Sequence, residues 1–125
     1  MNPSDIGFTQ NTINNQGKGY TMQGNIEALQ AGNLNPNEMG DPIRVFLKTS
    51  EMDNWGSMTK NGHTGDPQNL INEQWYTLDN RRLFAFQKAN IESINVQVID
   101  SPRYIRGQSW KFTTTNWEKD ATLLP

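Results

Sequence analysis

The stretch Trp75-Tyr-Thr-Leu-Asp-Asn-Arg-Arg-Leu-Phe-Ala-Phe86 decides the fold, because it changes from strand to helix periodicity within a few residues. Residues 74–78 alternate in the way that favours a β-strand, and the apolar positions after Asn80 recur at helical spacing. Asp79 stands between the two patterns, at the position of a helix N-cap. The stretch therefore predicts a strand that runs directly into a helix.

Upstream of this stretch the chain predicts an extended arm, a helix and a strand. Residues 1–20 contain few apolar positions, which favours an arm with one short strand. A capping threonine and a terminal glycine bracket a helix over 22–31. Residues 43–48 form a β-branched and aromatic run that predicts a strand. Residues 49–73 follow as a long loop, and the strands on either side of it are expected to pair as a hairpin.

Downstream of the stretch, two more strands are predicted. Residues 94–98 alternate apolar and polar side chains. Residues 110–115 do the same, with Trp110 and Phe112 on the inward face, and the tail after Trp117 is expected to be loosely held. The order of elements predicts one α+β domain over residues 1–125, with a small mixed sheet and flanking helices.

The composition excludes several kinds of site. The 125 residues include no cysteine and one histidine, which excludes a disulfide scaffold, Cys-His catalysis and a His/Cys zinc site. No apolar run approaches the roughly 20 residues that a membrane-spanning helix needs. Residues 1–10 lack the basic start and the apolar middle of a secretion signal. We therefore expect no membrane span, and we expect an exported chain to carry its address on a larger polypeptide.

The densest functional signal is Leu78-Asp-Asn-Arg-Arg-Leu83, at the junction of the strand and the helix. The first turn of a helix presents free main-chain N–H groups and the positive end of the helix dipole. Arg81 and Arg82 add two guanidinium groups, which bind phosphate through paired hydrogen bonds. The junction therefore predicts a phosphate site.

An alternative interpretation of the same residues is structural. Asp79 would then be only an N-cap, and the two arginines would pair with surface carboxylates or lie over Trp75 and Tyr76. The charge distribution favours the phosphate site, since residues 81–112 hold six basic and two acidic residues while the whole chain has a net charge of −2. We expect a nucleic acid or nucleotide to bind this half of the chain through a small contact.

A second polar group lies on the predicted last strand. Lys111, Thr113 and Thr115 would project from one face, with Asn116 directly after them, and such groups can orient a phosphate or a scissile ester. The alternative is the ordinary preference of threonine for strands. His63 lies in the long loop, where a lone histidine is more often a surface residue than a general base, and we assign it no role.

Acidic and aromatic residues give two further hypotheses. Asp53, Asp66 and Asp79 are candidates to hold a divalent metal such as Mg²⁺, which would activate water in a nuclease. All three also suit turn or cap positions. Trp55, Trp75 and Tyr76 could stack on bases. Strand aromatics are usually core residues, so we expect Trp75 or Tyr76 in the core.

Several segments of the chain together carry a family resemblance. They are Asp41-Pro-Ile-Arg-Val45, Trp75 to Phe86 as quoted above, Ile94-Asn-Val-Gln-Val98 and Trp110-Lys-Phe-Thr-Thr-Thr-Asn116. This pattern resembles the ParB/sulfiredoxin-like domains found at the C-termini of bacterial polymorphic toxins. In the ParB superfamily the strand-to-helix box resembles Gly-Glu-Arg-Arg, whose arginines and helix start bind phosphates. The resemblance therefore implies a ParB-like fold, with the phosphate role on Arg81, Arg82 and Asn80.

The chain departs from the family pattern at two points. Asp79 and Asn80 replace the glycine and the glutamate of the box, so the resemblance does not carry over the nucleotide hydrolysis seen in ParB. The cysteine of sulfiredoxin is missing, which excludes redox repair chemistry.

The resemblance implies an effector domain of contact-dependent interbacterial competition. It would be secreted within a larger toxin, cleave nucleic acid in the target-cell cytoplasm, and be neutralised by a cognate immunity protein covering the basic half or the long loop. Arg81 and Arg82 would grip the scissile phosphate, Asp79 would position water or a metal, and Lys111 with Thr113 would complete the catalytic group. The expected substrate contacts are Asn80, Tyr76, Thr115 and Asn116. Two alternatives stay open, a nucleotide-dependent phosphotransferase or NTPase and a non-catalytic nucleic-acid-binding module.

Overall fold

The computed structural model describes residues 1–17, 20–114 and 121–124 of the chain. The helices are α1 (Met22–Gln30), α2 (Asn80–Lys88) and α3 (Pro102–Gly107). The strands are β1 (Ile6–Gly7), β2 (Thr12–Asn14), β3 (Gln16–Gly17), β4 (Tyr20–Thr21), β5 (Ile43–Leu47), β6 (Met58–Lys60), β7 (His63–Gly65), β8 (Trp75–Thr77), β9 (Val96–Val98) and β10 (Thr122–Leu124). This mixture of helices and small sheets agrees with the predicted α+β class.

A four-stranded mixed sheet in the order β1-β8-β5-β9 lies at the centre of the fold. β5 pairs antiparallel with β8, with Phe46 opposite Tyr76, and it pairs parallel with β9. The antiparallel pair confirms the predicted hairpin whose connection is the long loop. Because β8 ends at Thr77 and α2 begins at Asn80, the sheet fixes where the start of α2 lies.

Two apolar clusters form the core. One joins Ile43 and Val45 of β5 to α1 and α2, and the other joins Phe46 to Tyr76, Phe112 and α3. Neighbouring residues of a strand point to opposite faces of the sheet, which is why Val45 and Phe46 belong to different clusters. The ring of Phe46 stacks on that of Phe112 with centroids 5.3 Å apart.

The two predicted helices are confirmed. The Thr21 hydroxyl accepts the Gly24 N–H at 3.0 Å and caps α1, and Gly32 follows its end with φ +77°. After α2, Asn90 takes the left-handed conformation at φ +57°. The N-terminal residues form more than the one short strand predicted, since β1 pairs with β8, β2 with β10 and β3 with β4.

The long loop is built from short regular pieces. β6 and β7 form an antiparallel hairpin inside it, and 3₁₀ turns occupy Ser50–Asn54 and Pro67–Asn69. Lys48 anchors its two ends, because this fully buried side chain donates to Asp53 at 2.7 Å and to Asn72. The loop is therefore a folded unit attached to the end of β5.

The predicted strand over 110–115 is wrong in its described part. The segment instead begins in a 3₁₀ turn over Ser109–Lys111. This turn follows α3, whose start is fixed by Pro102 and by the Ser101 hydroxyl accepting the Tyr104 N–H at 3.3 Å. Phe112 is buried as the alternation indicated. Buried and half-buried residues thus alternate over residues 111–114 although the structure gives them no strand. Residue 115 lies outside the described range.

The end of the chain is held more firmly than expected. β10 pairs parallel with β2, with Leu123 opposite Ile13, so the prediction of a loose tail is wrong for this strand. Residues 118–120 and 125 lie outside the described part of the chain. None of the described helices is long and apolar enough to cross a membrane.

Candidate phosphate-binding cleft

A cleft of about 380 Å³ opens at the N-terminal end of α2. Its lining consists of Gln10, Tyr20, Leu78, Asp79, Asn80, Arg81, Arg82 and Lys111. Five residues that the sequence proposed for the site are therefore brought together, although Lys111 comes from a distant part of the chain. Three of the lining residues are cationic and one is acidic, which gives the cleft a positive charge.

Asp79 is bound to Arg44 of β5. Arg44 donates to Oδ2 from its main-chain N–H at 2.7 Å and from Nε at 3.1 Å, and to Oδ1 from Nη2 at 2.7 Å. Paired hydrogen bonds between guanidinium and carboxylate are strong and directional. The Asp79 carboxylate forms no capping bond to α2. Asp79 therefore occupies the predicted N-cap position, but its carboxylate links β5 to the start of α2 and does not cap the helix.

The environment of Asp79 keeps its carboxylate ionised. Burial acts to raise the pKa of Asp79, but the hydrogen bonds and charge of Arg44 outweigh that effect, and the pKa lies below its usual value. Both oxygens are occupied by Arg44, and Arg82 Nη2 lies 3.5 Å from Oδ2. We therefore assign Asp79 a positioning role in place of the predicted catalytic one.

Asn80 is a second structural clamp at the start of α2. It is 4% exposed, its Oδ1 accepts the Thr9 N–H at 2.9 Å, and its Nδ2 donates to the Thr9 hydroxyl at 2.9 Å. The side chain expected to contact the substrate is thus used to hold the N-terminal arm. What Asn80 offers a ligand is its main-chain N–H.

The first turn of α2 has unused donors. The main-chain N–H groups of Asn80, Arg81 and Arg82 have no hydrogen-bond acceptor among the described residues. This follows from the Arg44 contact, which holds the Asp79 carboxylate away from the helix end. Free N–H groups and the helix dipole together suit an anion at this point.

Arg81 is held in the cleft with part of its guanidinium unsatisfied. Its Nη1 donates to the Asn14 carbonyl, and its guanidinium carbon lies 5.6 Å from the centre of the Tyr20 ring. Its Nη2 is buried and has no hydrogen-bond partner among the residues that the structure describes. Buried donors are normally satisfied, so an acceptor supplied by a ligand would complete this site.

Arg82 is held mainly by the main chain. Its Nη1 donates to the Asp41 carbonyl, and the side chain is 30% exposed. The structural alternative predicted that the arginines would pair with surface carboxylates or lie over Trp75 and Tyr76. Within the described ranges, the ion pair of Arg82 is the longer contact to Asp79, whose charge Arg44 already balances. The positive charge of both arginines therefore remains available to a ligand.

Lys111 reaches the cleft from the 3₁₀ turn after α3. Its Nζ lies 5.5 Å from the centre of the Trp110 ring. Burial lowers the pKa of Lys111, the charges of Arg44 and Lys60 lower it further, and Asp79 opposes them. This ammonium group is consequently more acidic than an ordinary lysine.

The remaining predicted contacts lie elsewhere. Tyr76 is fully buried, with its hydroxyl accepting the Ile71 N–H at 2.9 Å, so it belongs to the core and we withdraw it as a substrate contact. Thr113 does not line the cleft, and its N–H donates to the Thr9 carbonyl at 2.9 Å. The predictions for Thr115 and Asn116 lie outside the described residues.

The candidate metal ligands do not converge. Asp53 pairs with Lys48 at 2.7 Å, and Asp66 accepts the Gln68 N–H at 2.9 Å. Within residues 1–17, 20–114 and 121–124, no group of three or more His, Asp or Glu side chains is placed to hold a metal ion. The described residues therefore do not fit the Mg²⁺ site that the sequence proposed.

Sequence reasoning missed Arg44, Gln10 and Tyr20. Arg44 interrupts an otherwise apolar strand, and that interruption is a signal that could have identified it. Gln10 and Tyr20 lie in the N-terminal arm, where no pattern connects them to α2. Gln10 comes shortly after β1, which pairs with β8. Tyr20 lies in β4, which pairs with β3.

No protein-family model matches the chain, and no curated protein or solved structure is significantly similar to it.

Proposed function

We propose that the chain is the effector domain of an interbacterial polymorphic toxin and acts as a nuclease on nucleic acid phosphodiesters. The observation that carries the proposal is the cleft at the start of α2. Arg81, Arg82 and Lys111 meet there around one carboxylate, and Arg44 already neutralises that carboxylate. Such a site is complementary to a phosphate ester.

In the proposed complex, one phosphate occupies the end of α2. Its oxygens accept hydrogen bonds from the free main-chain N–H groups of the first turn. They also accept one from Nη2 of Arg81, the buried donor that has no partner in the described part of the chain. Arg82 and Lys111 balance its charge. Asp79 and Asn80 act indirectly, because they fix the helix end against β5 and the N-terminal arm.

The chemistry follows from where charge develops. When water attacks phosphorus, a P–O bond to water forms, the P–O bond to the leaving oxygen breaks, and negative charge grows on the phosphoryl and leaving oxygens. The two guanidinium groups stabilise the phosphoryl oxygens. Lys111 donates a proton to the leaving oxygen, and the proton released by the attacking water returns to the lysine through solvent. A lowered pKa makes Lys111 a better proton donor for this step.

The proposal includes a cognate immunity protein and a target-cell site of action. A cationic cleft is most simply blocked by an acidic surface, so we expect the immunity protein to place carboxylates over Arg81 and Arg82. In the producing cell this contact prevents self-cleavage. The chain would reach the target cytoplasm as part of a larger secreted toxin.

A nucleotide-dependent phosphotransferase or NTPase is the second candidate. The observation that favours it is the size of the cleft, about 380 Å³, which suits one nucleotide. Tyr20, 43% exposed and next to Arg81, would provide a stacking surface for a base.

The deciding experiment incubates the purified chain with plasmid DNA, tRNA and labelled nucleoside triphosphates, with and without Mg²⁺. Cleavage of a polynucleotide supports the nuclease, turnover of a triphosphate supports the second candidate, and binding alone indicates a non-catalytic module. The matched variants are Arg82→Ala in the cleft and Arg103→Ala on the exposed surface of α3. We expect only Arg82→Ala to abolish cleavage and growth inhibition, with the fold of both checked by circular dichroism. A fully toxic Arg82→Ala chain would remove Arg82 from the mechanism.

A further inference from the structure

The hairpin of β6 and β7 packs directly against the turn that carries Lys111. A Cβ placed on Gly65 would lie 2.6 Å from the Phe112 nitrogen and 2.7 Å from the Trp110 oxygen, and it would also overlap the Ser109 oxygen. The residue after Gly65 continues the contact, with its N–H donating to the Phe112 carbonyl at 3.1 Å. The hairpin and the turn are therefore one unit, and the absence of a side chain on Gly65 makes this approach possible.

Trp110 connects the hairpin tip to the cleft. Its ring stacks on that of His63 with centroids 6.0 Å apart, and Nζ of Lys111 lies 5.5 Å from the same ring. Lys60 is the cross-strand partner of His63 and is exposed. These contacts bring Lys60 to the side of the cleft where Lys111 lies.

The positive charge of Lys60 acts on Lys111 in the cleft, since it is one of the charges that lower the pKa of Lys111. Lys60 forms no ion pair within the described part of the chain, and it is not one of the residues that line the cleft. A positive row thus continues from Arg81 and Lys111 onto the hairpin. A single phosphate bound at the start of α2 would not contact Lys60.

We propose that the hairpin provides a second phosphate subsite at Lys60, so that the preferred ligand is a nucleic acid strand with at least two consecutive phosphates and not a mononucleotide. The inference rests on the proposed function for its first phosphate. A backbone that passes from α2 to the hairpin would place neighbouring phosphates at Arg81 with Lys111 and at Lys60. Binding of this kind depends on salt, because each neutralised phosphate releases counterions.

The test compares Lys60→Gln with Lys88→Gln, which removes the same charge near the far end of α2. Fluorescence anisotropy measures the binding of labelled ten-nucleotide strands of DNA and of 2′-O-methyl RNA, and calorimetry measures the binding of a nucleoside monophosphate. We expect Lys60→Gln to weaken strand binding about three- to tenfold and to reduce the salt slope by about 0.7. We expect the monophosphate to bind as before, and Lys88→Gln to behave as wild type in both measurements.

Two results would overturn the inference. One is an unchanged affinity of Lys60→Gln for the strands, and the other is an equal loss for strand and monophosphate, which would mean that Lys60 acts through the first phosphate site. The nuclease proposal is judged separately by cleavage. Wild-type protein that binds strands with the Lys60-dependent salt slope but cuts none of them would refute the nuclease and leave the second subsite standing.

Discussion

Arg44 binds the Asp79 carboxylate through three hydrogen bonds, one from its main chain and two from its guanidinium, at 2.7 to 3.1 Å. The contact joins β5, one of the two inner strands of the sheet, to the residue before α2. It also explains why the Asp79 side chain does not cap the N-terminus of α2, because the carboxylate faces the strand. A structural ion pair thus leaves the helix N–H groups available to a ligand.

Replacing Asp79 tests this relationship. We expect Asp79→Asn to lower the free energy of unfolding at pH 7 by about 2 kcal/mol, because the charged partner of a partly buried arginine is lost. Urea denaturation measures the difference. Since the pKa of Asp79 is lowered in the folded state, its contribution is complete above the unfolded-state pKa of about 3.9 and is lost as the pH falls through the folded-state pKa.

The wild-type and Asp79→Asn curves of stability against pH should therefore converge in acid. Equal stability of the two proteins at pH 7 would contradict the role given to the pair.

Gly65→Ala tests whether the hairpin positions Lys111. The added methyl group would meet main-chain atoms of Trp110 and Phe112 at 2.7 and 2.6 Å, so the turn must shift. We expect a destabilisation of about 1–3 kcal/mol and a loss of cleavage greater than the unfolded fraction explains. Gly107→Ala is the control, because a Cβ at that position in α3 meets nothing within 4 Å. Full activity of Gly65→Ala would show that the packing of the hairpin is irrelevant to the cleft.

Because Lys111 is proposed to act as an ammonium group, we expect activity to fall at alkaline pH. In the proposed reaction the ammonium form binds phosphate and donates the proton. Burial and nearby positive charges lower its pKa from 10.5. Cleavage by the wild type should accordingly decline as the pH rises through a value below 10.5. Lys111→Arg keeps the charge at all accessible pH values but is a poor proton donor. We expect that variant to retain strand binding, to lose most of its rate, and to show no alkaline decline in binding.

Tyr76→Phe distinguishes a role of Tyr76 in the core from a role in binding substrate. The change removes the hydroxyl that accepts the Ile71 N–H at 2.9 Å, and we expect a loss of about 1 kcal/mol in the free energy of unfolding. Because Tyr76 is fully buried, substrate affinity and rate should stay at wild-type values once the chain is folded. A selective rise in KM without destabilisation would restore Tyr76 to the site.

The sequence predicted the parts of the fold that depend on local signals. α1 was recognisable from apolar spacing and its Thr21 cap, α2 from apolar spacing, and the pairing of β5 with β8 from two apolar runs on either side of a long loop. The segment over 110–115 was wrongly predicted to be a strand because its residues alternate in the way typical of a strand. Phe112 and Thr114 are buried by tertiary contacts and not by strand pairing. The competing signal was the helix start at Ser101 and Pro102, upstream of this segment.

The site was predictable only in part, for a similar reason. Arg81 and Arg82 were identified because a strand-to-helix junction has a known electrostatic character. The roles of Asp79 and Asn80 were not, since each depends on a partner far away in sequence, Arg44 and Thr9. One sequence contains no periodic pattern that reveals such pairs.

Binding of a phosphate ester at the start of α2 can be measured by NMR titration of the ¹⁵N-labelled chain with a nucleoside monophosphate. We expect saturable shifts of the main-chain N–H signals of Asn80, Arg81 and Arg82, which disappear in Arg81→Ala while the control Arg103→Ala retains them. Absence of shifts in that turn at saturating ligand, or shifts confined to another surface, would contradict it.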